Sequence, residues 1–311
     1  MKSDPCCLCG SEQYRPYMRK VYALGGRPLD LVRCRGCGLI RVEPMPGAEE
    51  VRGLYTEAYF DRDFSCGVRK GTYLESEAMR VEEYREVLSV IRSYRPFGRL
   101  LEVGCAAGSF LNYAQRSGYQ VEGVDISAWA AEMAREQFAV PVHVGRLMEV
   151  NFPDETFDVI FFGDLLEHEP DPVELCREAR RALKPGGLLA VKTPTYVNSF
   201  YFRLARHVPK ALLLGIFDLR LLRAMKLAHE GPNLPPYHLF EYSHQNLEML
   251  CEKAGLRVLG HRTSLLVPEF LDRWNAPLLD RVVFFGFRAM KALVMKLNLP
   301  AGHVLVLGAK E

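Results

Sequence analysis

No uncharged apolar run in this 311-residue chain approaches the ~20 residues that span a bilayer. The opening Met1-Lys2-Ser3-Asp4-Pro5 lacks the apolar core of a secretory signal. Together these absences lead to the expectation of a cytoplasmic protein. Neither sign of charge predominates: 40 Lys and Arg stand against 38 Asp and Glu, a formal net charge of +2. That near-neutrality argues against a chain built mainly to coat nucleic acid, although it does not exclude a local basic patch. An even cysteine count is also missing. Nine cysteines in a reducing compartment fit thiols or metal ligands better than a disulfide framework. What is present is ordinary for a globular chain, 49% hydrophobic and 25% charged, long enough for one large α/β domain with an appendage or for two modest domains.

Four of the cysteines fall into two knuckles, Cys6-Cys7-Leu8-Cys9-Gly10 and Cys34-Arg35-Gly36-Cys37-Gly38. In each C-x-x-C-G, two thiolates point at one metal from a tight turn and the glycine relieves the backbone. Paired knuckles supply Cys6, Cys9, Cys34 and Cys37 to a closed tetrahedral site, the pattern of structural zinc, with Cys7 a bystander. A redox role is disfavoured, because neither pair sits at the head of a helix after a strand, where a thiolate is stabilised. Val21–Leu24 and Leu29–Val32 flank Gly25-Gly26 as a hairpin, so residues 1–45 read as a zinc ribbon. Arg15, Arg19, Lys20, Arg27, Arg33, Arg35 and Arg41 make the ribbon locally basic, either as a solvated face or to meet an anionic acceptor. Residues 46–98 read as a linker with helices; its Tyr55, Tyr59 and Phe60 either line a pocket or dock the ribbon.

From residue 99 the pattern is regular alternation: strand Leu100–Val103, helix from Ser109, strand Val121–Val124, helix Ala128–Phe138, strand Val142–Val144, strand Phe157–Phe162, helix Val173–Leu183, strand Leu188–Lys192. Buried strands alternating with amphipathic helices predict a doubly wound parallel sheet with ligands at the carboxyl ends of its strands. The informative residues lie at those ends. Gly104-Cys105-Ala106-Ala107-Gly108 is a turn through which a backbone approaches a ligand closely, at a helix start with free N–H groups. Asp125 ends the second strand about 20 residues on, where a carboxylate accepts ribose hydroxyls. Glu102 ends the first strand, Arg146 and Leu147 follow the third, and Asp164 and Leu165 follow the fourth. The loop lacks the glycine spacing of a dehydrogenase, G-x-G-x-x-G, and the G-K-S/T of a P-loop.

Leu101-Glu102-Val103-Gly104-Cys105-Ala106-Ala107-Gly108, Val124-Asp125, Phe157-Asp158-Val159-Ile160, Leu166-Glu167-His168-Glu169-Pro170-Asp171-Pro172 and Leu183-Lys184-Pro185-Gly186-Gly187 occur in an order that resembles the class I S-adenosylmethionine-dependent methyltransferases. The resemblance covers about residues 75–195. Cys37-Gly38-Leu39-Ile40, Pro44-Met45-Pro46 and Tyr55–Phe60 extend it to a bacterial subset with a zinc-ribbon preface, acting on small molecules or glycans. It implies an α/β, Rossmann-like, doubly wound seven-stranded sheet whose last strand is antiparallel. By the resemblance Glu102, Gly104, Gly108 and Asp125 hold the cofactor, and the loop and strand-end positions add Cys105, Ala106, Ile126, Arg146, Leu147, Asp164 and Leu165 to the candidate cofactor site. Ala106 departs from the family's usual glycine.

Within 99–311 two insertions, about 196–242 and 266–302, interrupt the core. The first lies where a lid would cover an acceptor, and each carries basic, apolar helical spacing, Phe217–Ala228 and Val282–Leu293, suited to a lid, a subunit contact or an anionic membrane surface. The function expected is methyl transfer from S-adenosylmethionine to a small-molecule or glycan-type acceptor, nucleotide- or lipid-linked acceptors included. His238 and His168 are the candidate general bases, as imidazole titrates near neutrality. The alternatives are ribosomal or transfer RNA methylation and a non-catalytic cofactor-binding protein; nothing in the sequence reads out an oligomeric state.

Overall fold

In the computed structural model, residues 4–55, 80–199, 207, 238–264, 293, 296–300 and 302–311 are described. The alternation builds β4 (Arg99–Val103), α3 (Ser109–Arg116), β5 (Gln120–Asp125), α4 (Ala128–Phe138), β6 (Val142–Val144), α5 (Leu147–Val150), β7 (Phe157–Gly163), α6 (Pro172–Ala182) and β8 (Leu183–Pro194). Ahead of it runs α2 (Val81–Tyr94); after it come β9 (Phe240–Glu241), α7 (His244–Lys253), β10 (Arg257–Ser264) and β11 (His303–Ala309). Caps set several helix starts: the Ser127, Asp171 and Ser243 side chains accept backbone N–H groups of Ala130, Glu174 and Asn246, and Pro172 occupies the first turn of α6.

The seven strands lie in the order β10-β11-β8-β7-β4-β5-β6. β5, β4, β7 and β8 run parallel, with β6 parallel to β5, and β11 runs antiparallel to both its neighbours. This is the Rossmann-like sheet with an antiparallel last strand that the sequence led one to expect. Strand order reverses beside β4, which opens a crevice at the carboxyl edge. Side-chain alternation sorts the core: Leu100, Val159, Phe161 and Ala190 pack beneath α2 and α3, while Leu101, Ile160, Phe162 and Val191 pack beneath α6 and α7.

In the core a boundary differs from the sequence reading, which ended a helix at Leu183 and opened a strand at Leu188. β8 starts at Leu183 itself. The Gly186 N–H donates to the Lys310 carbonyl (2.7 Å) and the Lys310 N–H to the Gly187 carbonyl (3.0 Å), so Lys184-Pro185-Gly186-Gly187 is drawn into the ladder as a bulge.

The amino-terminal region forms β1 (Tyr14–Leu24), β2 (Arg27–Cys34), β3 (Ile40–Glu43) and α1 (Ala48–Arg52). β1 and β2 are longer than the Val21–Leu24 and Leu29–Val32 segments read from sequence. Gly25 (φ 55°) and Gly26 (φ 76°) turn the β1–β2 hairpin in the left-handed conformation that such a two-residue turn requires. A fourth strand, β9, comes from nearly 200 residues downstream and pairs with β3. Cys6, Leu8, Cys34 and Leu39 join the core beneath α6 and α7. Asn246 Nδ2 donates to the Cys37 carbonyl (3.0 Å), and Lys253 Nζ to the Cys7 carbonyl (2.7 Å). Of the basic ribbon residues, Arg41 is buried, pairs with Glu43 at 2.8 Å and covers the Tyr14 ring. The Phe217–Ala228 helical pattern, that of Val282–Leu293 apart from Leu293 itself, and Tyr59 and Phe60 lie outside the described residues.

Candidate active site

The chain leaves β4 through Gly104 (φ 73°), passes Ala106 (φ 45°) and enters α3 from Gly108 (φ 78°), all three left-handed. The Gly104 and Cys105 N–H groups donate to the Val124 carbonyl (2.7 and 3.2 Å). A Cβ at Gly104 would fall 2.9 Å from Leu165 Cδ1, and one at Gly108 would fall 2.9 Å from Ala134 Cβ, so both positions need hydrogen for space as well as for φ. Ala106 bears the same φ with a methyl group, a strain of about 1 kcal/mol. Its N–H donates to Asp125 Oδ2 (2.8 Å), while Asp125 Oδ1 accepts the Ser127 N–H (2.8 Å). Asp125 thus ties the loop to the end of β5, and each oxygen keeps a further acceptor lone pair. Burial pushes its carboxyl above the usual range, against the pull of those two N–H groups.

Beside the loop a cleft is lined by Glu102, Gly104, Cys105, Phe110, Phe161, Gly163, Asp164 and Lys192, and closed by Arg80, Glu83, Tyr84 and Val87 of the α2 segment. Lys192, Asp164 and Glu83 form a paired cluster within it. The buried Lys192 ammonium donates to Asp164 Oδ1 (2.9 Å) and Oδ2 (2.7 Å) and pairs with Glu83. Arg80 (4.0 Å) and His303 (3.8 Å) also face the Asp164 carboxylate. Burial alone would push Asp164 up, but Lys192, then His303 and Arg80, hold it well below the usual carboxylate range. His303 is pushed down to about 4 by burial and by Lys192. Asp164 sits at φ 53°, a left-handed backbone that Asp tolerates, with its N–H on the Lys192 carbonyl (2.8 Å).

A second cluster lies on the other face. A short 3₁₀ turn, Leu166–His168, carries Glu167, whose Oε2 accepts the Thr193 hydroxyl (2.8 Å) and whose Oε1, fully buried, makes no hydrogen bond among the described residues. Burial, then the Asp164 charge, pushes Glu167 up to about 8. His168 Nε2 lies 3.7 Å from that Oε1, and His168 Nδ1 is 2.8 Å from the Tyr55 hydroxyl. The His238 ring stands edge-on to His168 at 5.0 Å, with its Nδ1 3.7 Å from Glu241 Oε1.

Of the residues expected from sequence, Glu102, Gly104, Cys105 and Asp164 line one cleft. Ala106, Gly108, Asp125 and Leu165 support it through the contacts above, whereas Ile126 is half-buried beyond the loop. Arg146 is committed to Glu169 (2.6 Å), and Leu147 is a core residue. His168 and His238 come together. Sequence reasoning missed Arg80, Glu83, Lys192 and His303. Lys192 had a signal, a lysine ending the apolar run Leu188–Val191; Glu83 is one of several glutamates on an amphipathic helix and had none.

At the knuckles, Cys6 and Cys37 sulfurs are 3.5 Å apart, as are those of Cys9 and Cys34, and all four lie within 4.8 Å of one another. A tetrahedral shell on ~2.3 Å zinc–sulfur bonds has edges of about 3.8 Å. A Cβ at Gly36 would fall 2.9 Å from Cys9 Sγ, so glycine is what fits beneath the cluster.

A strand–loop–helix cleft at the switch point of a Rossmann-like sheet defines a nucleotide-type ligand site. Residues 76–261 match the family described as "Methyltransferase domain", and the chain belongs to that family, with these residues forming its S-adenosylmethionine-dependent methyltransferase domain. A ubiquinone biosynthesis O-methyltransferase of Nitrosococcus oceani is 29% identical over 62% of this chain and 77% of its own length. A 27-O-demethylrifamycin SV methyltransferase of Amycolatopsis mediterranei is 30% identical over 38% of this chain; the match spans about half (48%) of that relative. An S-adenosylmethionine-dependent methyltransferase of Archaeoglobus fulgidus overlays 76% of this chain and 99% of its own at a TM-score of 0.49 and 19% identity.

Proposed function

We propose that this chain transfers a methyl group from S-adenosylmethionine to a hydroxyl of a small-molecule acceptor, glycan-type acceptors included. The residues present suit the donor: a glycine cradle that a Cβ would fill, and the Glu102 and Asp125 carboxylates flanking it. Bound donor supplies a sulfonium-activated methyl group, so the protein's task is alignment and exclusion of water. Gly104 and Gly108 let the backbone approach, Asp125 holds the loop and offers lone pairs to ribose hydroxyls, and Phe110 and Phe161 keep the cleft dry. Arg80, Glu83 and Tyr84 close it from α2.

The observation that carries oxygen as the acceptor atom is the convergence of Glu167, His168 and His238 next to the donor cleft, because a hydroxyl must lose a proton to react and an amine need not. The relatives named above as O-methyltransferases support the same reading. Tyr55 fixes the His168 ring, and the His168 and His238 imidazoles are the groups that can take the proton leaving the acceptor. At the knuckles we propose structural zinc on Cys6, Cys9, Cys34 and Cys37, joining the β1–β3 sheet to the core. A cytoplasmic location fits both. Burial of Arg41 thins the basic face that an RNA acceptor would need.

The test is calorimetric binding of the demethylated donor product, followed by transfer assays on phenolic, sugar-nucleotide and RNA acceptors. Phenolic or sugar hydroxyl turnover is expected, falling about 100-fold or more in His168→Ala. Methylation of RNA alone, with steep salt dependence, would replace this reading.

A further inference from the structure

We propose that Glu167, His168 and His238 bind a divalent first-row transition cation, zinc being the ion that best suits the set. One ligand atom from each lies within 4.8 Å of the others. Glu167 Oε1 and His168 Nε2 are 3.7 Å apart, against about 3.4 Å for the edge of a tetrahedral shell on ~2.05 Å bonds, so a small inward turn closes the site.

The geometry has a second feature that an incidental cluster lacks. Two of the three ligands are oriented through their other polar atom, Glu167 Oε2 by the Thr193 hydroxyl at 2.8 Å and His168 Nδ1 by the Tyr55 hydroxyl at 2.8 Å, and the Glu241 carboxylate stands 3.7 Å from His238 Nδ1. Such outer partners fix the tautomer and aim the coordinating atom. With Nδ1–H donating to Tyr55, the His168 Nε2 lone pair points towards Glu167 Oε1. That oxygen is buried and accepts no hydrogen bond among the described residues, a condition that a bound cation relieves.

Two imidazoles and a carboxylate select zinc-like ions over magnesium or calcium, which take all-oxygen shells. Three protein ligands leave a position open, the arrangement of a zinc that binds and acidifies an oxygen. An acceptor hydroxyl on that position would give up its proton to solvent and present an oxygen nucleophile to the methyl group. This chemical use rests on the acceptor-side reading above, whereas occupancy by a metal does not.

The experiment counts zinc in the full chain after equilibration and removal of free metal. Wild type should hold two ions, one on the cysteines and one here; His238→Gln and Glu167→Gln should each hold one. The ion retained on the cysteines reports that the variants are folded. With cobalt in place of zinc, wild type should add weak ligand-field bands, without sulfur charge transfer, that both variants lose. Tyr55→Phe should weaken the second ion about 10- to 100-fold while leaving the first. One zinc in wild type, or two in both variants, overturns the proposal. Two zinc ions in a chain that methylates no hydroxyl acceptor would support the metal site and remove the proposed activity.

Discussion

Lys192 and Thr193 are neighbours on β8, and the period of the strand sends them to opposite faces of the sheet, into two clusters built on different terms. On the Lys192 face opposite charges meet: the ammonium pairs with Asp164 and Glu83, with Arg80 and His303 behind. On the Thr193 face a buried carboxylate has one oxygen bonded to the threonine and the other aimed at imidazole. An ionic cluster built on a buried ammonium shapes a cleft and holds a helix across it. An unsaturated one has coordination to give to a ligand. The same edge of one sheet therefore separates the proposed donor side from the proposed acceptor side.

The comparison breaks first at Lys192. Removing it strands two carboxylates in a site with little water, so Lys192→Met should cost about 3–5 kcal/mol in urea unfolding. A loss under about 1 kcal/mol would mean that the cluster is not structurally committed. Next comes Gly104→Val, which forces a β-branched residue to φ 73° with its Cβ 2.9 Å from Leu165. Strain and overpacking together predict about 2–4 kcal/mol, with no calorimetric binding of the demethylated donor product. Retained affinity would take the glycine loop off the donor side.

His303 sharpens the donor side through pH. Its imidazole is pushed from an ordinary 6.5 to about 4, so the folded chain keeps it neutral where the unfolded chain protonates it. The unfolded state then binds more protons between about pH 4 and 6.5, and stability falls as pH drops through that window. His303→Asn should flatten the slope of unfolding free energy over that range; an unchanged slope would place its source elsewhere. The smallest stability effect belongs to the opposite face. With no metal on this cluster, Glu167→Gln keeps an acceptor for Thr193 and removes a carboxyl that burial raises to about 8, so its stability should stay within about 1 kcal/mol of wild type. A loss as large as that of Lys192→Met would erase the contrast between the two faces.

Local pattern made much of this legible. The glycines of the 104–108 turn, Asp125 at the end of β5, the Gly25-Gly26 hairpin and the paired knuckles are short-range features whose chemistry lies within a few residues. The ionic cluster was not legible, because Glu83, Lys192 and His303 belong to three segments that meet only when the sheet forms. Nor was β9: two residues are too short to show period, and their pairing with β3 spans most of the chain. The bulge at Lys184–Gly187 reads as a turn until the far end of β11 supplies hydrogen bonds.

By itself, then, the sequence determined the sheet, the loop at its switch point and the four convergent sulfurs, since periodicity and motif spacing act within one turn or one strand. Only the tertiary structure decided what surrounds Leu166-Glu167-His168. Tyr55 arrives from the linker, Thr193 from β8 and His238 from just ahead of β9, and long-range packing alone turns a common Glu-His pair into the proposed three-ligand cluster, with the His168 ring and the Glu167 carboxyl held from behind.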